Sequence, residues 1–69
     1  MRRFFFDLVG PRLVADEHGL VFEDVRLAAR FAENLADDLS DARPELRGSA
    51  SVIVRDSRSD EFTYCVAVH

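Results

Sequence analysis

Asp24-Val25-Arg26-Leu27-Ala28-Ala29-Arg30-Phe31-Ala32-Glu33-Asn34-Leu35-Ala36-Asp37-Asp38-Leu39-Ser40 is the stretch on which the fold turns. Within it Leu27, Ala28, Phe31, Ala32, Leu35 and Leu39 recur at the three-and-four spacing of one helical face. Asp24 carries the short acceptor side chain that suits a helix N-cap, so a helix is predicted over residues 25–40. Leu27, Phe31, Leu35 and Leu39 are expected to be buried, with Phe31 against Phe6 or Tyr64. The opposite face, with Arg26, Arg30, Glu33, Asn34, Asp37 and Asp38, reads as solvated. Asp37, Asp38 and Asp41 crowd the C-terminal end, where the helix dipole disfavours anions by about 0.3–1 kcal/mol each. Arg43 or Arg47 is expected to offset them.

Moving outward from the helix, residues 3–9 are aromatic-rich and end at Gly10-Pro11, the pattern of a strand closed by a turn. Leu13-Val14-Ala15 begins a second strand, and Asp16-Glu17-His18-Gly19 interrupts it with a polar loop in which Gly19 supplies a positive φ. Leu20-Val21-Phe22 extends or resumes that strand. Beyond the helix, Pro44 and Gly48 mark a loop. Residues 50–55 and 62–68 then read as an antiparallel hairpin about the polar turn Asp56-Ser57-Arg58-Ser59-Asp60. The expected fold is a single α+β domain over residues 1–69, β-β-α-β-β, with a mainly antiparallel four-stranded sheet and one helix on one face.

Alternation along the strands then sorts the sheet into two faces. Phe4, Phe6, Leu8, Val52, Val54 and the even-numbered residues 62–68 are assigned to the helix side. Phe5, Val9, Ile53, Cys65 and Ala67 point away from it, and one helix cannot cover both sides. That second face is the candidate interface of a homo-oligomer, a dimer above all.

Length and composition narrow the function classes. A core of 69 residues supplies only about 3–5 kcal/mol unless disulfides, metal or a partner subunit add to it. Cys65 is the only cysteine, so no internal bridge forms, and a reducing cytoplasmic setting is expected. The basic, aromatic start is interrupted by Asp7, and neither an export signal nor a membrane span is read from it. All nine basic residues are arginine, which rules out a Schiff-base or phosphate-loop lysine. Against them stand 13 acidic residues, for a net charge of −4. That balance weakens a nucleic-acid surface built from Arg2, Arg3 and Arg12 beside the phenylalanines.

Phe5-Phe6-Asp7, then Asp16-Glu17-x-Gly19, then Asp24 before Ala28-Ala29-Arg30, then Val54-Arg55-Asp56 occur in this order. In these motifs the chain resembles a family of short alphaproteobacterial proteins known only as a domain of unknown function. The resemblance implies a compact cytoplasmic αβ domain and carries no activity, substrate or catalytic residue with it. The family usually has a glycine in the last hairpin turn, where this chain reads Ser57-Arg58-Ser59.

Reactive constellations are sparse, and no catalytic residue, metal site or cofactor is assigned. Asp16, Glu17 and His18, joined by Asp7 or Asp56, are the one candidate for a metal or acid/base cluster, although their spacing fits no calcium loop or zinc pattern. As a turn, the same residues need only an Asp16 carboxylate that accepts backbone hydrogen bonds. Cys65 with His18 or His69 offers a thiol and a base, but a cysteine between Tyr64 and Val66 reads as a small packed hydrophobe, slow to react. Asp56 with Asp60 and Glu61 reads as turn-forming charge. The expected role is a self-associating or protein-binding module. A small regulatory, antitoxin-like nucleic-acid partner is the alternative, and a small metal-dependent enzyme comes third.

Overall fold

The computed structural model describes residues 1–58 and 62–69. Strands β1 (Arg2–Val9), β2 (Leu13–Val14) and β3 (Leu20–Phe22) precede helix α1 (Val25–Ala42). A 3₁₀ turn at Pro44–Leu46, then β4 (Ser51–Asp56) and β5 (Phe62–Ala67), complete the order. The sheet runs β2-β1-β4-β5, with β3 pairing the other end of β1, and every pairing is antiparallel. The α+β fold is therefore the expected one. There are five strands among the described residues because the second strand is broken in two at residues 15–19. The predicted turn residues Ser59, Asp60 and Glu61 lie outside the described residues.

The helix starts where its cap predicts, with the Asp24 carboxylate accepting from the Leu27 N–H at 3.1 Å. It ends two residues beyond the expected Ser40, at Ala42, and Arg43 closes it by donating its N–H to the Leu39 carbonyl at 2.7 Å. Of the two arginines proposed for the acidic C-terminal end, Arg47 reaches it. Its Nε donates to the Ser40 carbonyl at 3.0 Å and to the Ser40 hydroxyl at 2.9 Å, while Arg43 pairs with Glu45. Ser40 in turn donates its hydroxyl to the His69 carbonyl, tying the helix to the segment that follows β5.

The buried stripe of α1 is displaced from the predicted one: Ala28 and Ala32 are buried as expected, but its large residues lie to the side. Ala28, Ala32, Ala36 and Ser40, four residues apart, face the sheet, while Phe31, Leu35 and Leu39 flank them half-buried and Leu27 is 44% exposed. The cause is size: small side chains on the central line let the helix backbone settle onto Val52, Val54 and Val68, and the large ones fill the space on either side. Phe4, fully buried, and Phe6 complete the core. Phe31 packs edge-on against Phe6 as expected, with centroids 4.9 Å apart, and also meets Phe22 at 5.7 Å. Among the described residues no helix is long and apolar enough to cross a membrane.

Candidate functional site

The loop Asp16-Glu17-His18 and the helix-free face of the sheet are neighbours, joined through Asp7. Between β2 and β3, residues 15–19 stand opposite only residues 5–7 of β1, so the backbone ladder cannot continue there. Asp16 replaces it. One carboxylate oxygen accepts from the Phe6 N–H at 3.1 Å, and the other accepts from the N–H groups of His18 and Gly19, both at 3.0 Å. Gly19 has the predicted positive φ, 71°, and a Cβ there would stand 2.7 Å from the Phe4 carbonyl oxygen. Glu17 and His18 are exposed. Asp7 does join the loop, but by accepting the Asp16 backbone N–H at 2.9 Å, whereas Asp56 is occupied elsewhere by the Arg58 N–H and Arg2. Among the described residues, no group of three or more His, Cys, Asp or Glu side chains is arranged to hold a metal ion. The loop is a spliced bulge whose Asp16 carboxylate is taken up by backbone N–H groups.

On the helix-free face, the strand register brings Phe5 opposite Arg55, Asp7 opposite Ile53, Ile53 opposite Cys65 and Ser51 opposite Ala67. At its centre the Arg55 Nε donates to Asp7 at 2.7 Å and the guanidinium lies over the Phe5 ring, 4.7 Å from its centroid. Around this centre Val9 and Val21 stay more than two-fifths exposed and Leu13 is more exposed still. Strand alternation places Leu13, opposite Val9, and Val21, opposite Arg3, on the same side. Cys65 is exposed here rather than packed, on the edge strand β5, and no helix or strand of the described residues lies over this side of it. Asp7 and Arg55 were missed as members of this face. They obey the same alternation as Phe5 and Ile53, and a search for apolar residues alone passes over them.

Electrostatics follow from these contacts. Arg55 is the main reason the Asp7 carboxyl lies below its ordinary 3.8; burial opposes this and the Asp16 N–H reinforces it. For Asp16, burial pushes upward, but the N–H groups of Gly19, His18 and Phe6 together outweigh it, and the carboxyl again lies below 3.8. Both folded values are depressed, so the ionised forms contribute stability that is present above the unfolded value and is lost as pH falls through the lower folded values. The melting temperature is expected to be nearly level above roughly pH 5 and to fall below about pH 4. In Asp16→Asn that fall should be shallower. A wild-type midpoint that rises on acidification, or an unchanged acid slope in the variant, contradicts this assignment.

Over residues 3–63 the chain matches the family model described as a domain of unknown function, DUF6894. No curated protein and no solved structure matches it.

Proposed function

The chain belongs to the DUF6894 family, and we propose that it is a self-associating protein-interaction module in which two copies meet through their helix-free sheet faces. The observation that carries this reading is the face itself. A Phe5–Arg55 stack pinned by Asp7 sits among Ile53, Val9, Val21, Leu13 and Cys65, with no helix or strand of the described residues over it. Arginine and aromatic groups surrounded by apolar side chains are the composition of binding hot spots. Fully burying one exposed apolar side chain is worth about 1.5–3 kcal/mol, and since most of these are already half covered, it takes several of them together to approach what the core of so small a domain supplies. A twofold contact lets one patch serve both copies.

Charge supports the same geometry. The chain carries −4, yet among the described strand residues the charged groups on this face are Arg3, Asp7 and Arg55, while Glu33, Asp37 and Asp38 project from the exposed side of α1. Two copies meeting face to face keep those acidic helices apart. The nucleic-acid reading loses its stacking rings, because Phe4 and Phe6 are buried and Phe5 lies beneath Arg55.

Light scattering of the wild type at micromolar concentration is expected to give a dimer mass, and Ile53→Asp or Val9→Asp a monomer. Alkylation of Cys65 should slow as protein concentration rises, since association covers the thiol. A monomeric wild type ends the proposal, and variants that stay dimeric point instead to pairing along the β5 edge.

A further inference from the structure

On the opposite side of the molecule from that face, α1 does not extend over β2. A cleft of about 480 Å³ is left between the β1–β2 turn and the 3₁₀ turn, within the size range of small-molecule sites. Its floor is apolar: Leu8 and Val14 from the strands, Leu46 from the 3₁₀ turn, and Ala50 at the start of β4. One wall is held close, because the chain at Gly10 packs so tightly on Ala50 that a Cβ at Gly10 would lie 3.0 Å from the Ala50 Cβ.

The mouth has the opposite chemistry. Arg12, Arg43 and Glu45 line it. Arg43 is neutralised by Glu45, at 2.6 Å, whereas Arg12 forms no ion pair among the described residues. One uncompensated guanidinium above an apolar floor selects a ligand with a single negative charge and a hydrocarbon tail, since the head meets a planar bidentate donor while the tail removes Leu8 and Val14 from water. We infer that this cleft binds an amphipathic monocarboxylate, its head on Arg12 and its tail toward Leu46. This site is independent of the self-association proposed above, whose surface is the other face of the sheet.

The probe is sodium octanoate, titrated into the ¹⁵N-labelled chain of residues 1–69 and followed by amide chemical shifts. The expected result is saturable shifts confined to the amides around Leu8, Arg12, Val14, Leu46 and Ala50. Acetate, which lacks the tail, and octylammonium, which reverses the charge, should each leave those amides in place. Arg12→Ala should weaken octanoate binding by about tenfold or more, the loss of one charged hydrogen-bonding group. Val14→Asp, at an exposed position, should abolish binding with the spectrum of the folded protein retained. Octanoate that leaves the spectrum unchanged, shifts scattered over the whole chain, equal response to octylammonium, or undiminished affinity in Arg12→Ala would each overturn the assignment.

Discussion

Phe4→Ala is expected to leave the protein largely unfolded at room temperature. The side chain is fully buried, with the Phe22 ring 6.4 Å away and the Arg2 guanidinium 5.1 Å over its own ring. Truncating a buried phenylalanine costs about 3–5 kcal/mol through lost transfer energy and the cavity left behind. That is about the entire stability expected of a domain this size. The comparison that makes the claim specific is Phe31→Ala. Phe31 is half-buried at the side of the helix, so its loss should cost roughly 1.5–3 kcal/mol and leave a folded, less stable protein. Far-ultraviolet circular dichroism and urea midpoints, taken at one protein concentration because association would itself shift them, separate the two. A Phe4→Ala midpoint near that of the wild type, or a larger loss in Phe31→Ala, would mean that the core is not centred where the alanine stripe places it.

Phe31 is predicted to be buried and is half-buried, a difference that separates what is local in the sequence from what is not. Helix existence, its Asp24 cap, the turn at Gly10-Pro11 and the terminal hairpin are local features, written in spacing and in turn chemistry, and they appear where expected. Which side of the helix faces the sheet is not local. Leu27 and Phe31 are the most hydrophobic candidates, but the close approach of helix to sheet is set by the small residues Ala28, Ala32 and Ala36, and hydrophobicity alone ranks them below leucine. The helix-free face was legible from strand alternation. Its polar centre was not, because pairing Arg55 with Asp7 needs the β1–β4 register, which joins residues 48 positions apart. Exposure of Cys65 was hidden for a related reason: a residue between Tyr64 and Val66 is covered or bare according to whether its strand is central or at an edge, and strand order is a property of the whole sheet.

Asp16→Ala should be the most damaging change to a residue that is not part of the hydrophobic core. Three backbone N–H groups, those of Phe6, His18 and Gly19, end on this one carboxylate, and residues 15–19 offer β1 no regular ladder in its place. The Phe6 donor belongs to a buried residue, so removing its acceptor leaves a group that water reaches poorly. A hydrogen bond to a charged acceptor is worth about 1.5–3 kcal/mol, and the exposed His18 N–H can turn to water, so a total loss of about 2–4 kcal/mol is expected. The damage should spread, because the Asp16 N–H is held by Asp7, and Asp7 by Arg55; a loosened bulge releases the centre of the helix-free face as well. Asp16→Asn keeps one oxygen for His18 and Gly19 but turns an amide donor toward the Phe6 N–H, which ranks it between wild type and alanine. Urea denaturation gives the ranking, and amide hydrogen exchange at Phe6 locates the cause: exchange there should accelerate in both variants, most in alanine. Equal stability of all three proteins, or a destabilised Asp16→Ala in which Phe6 remains as protected as in wild type, would show that the carboxylate is not what splices β2 and β3 onto β1.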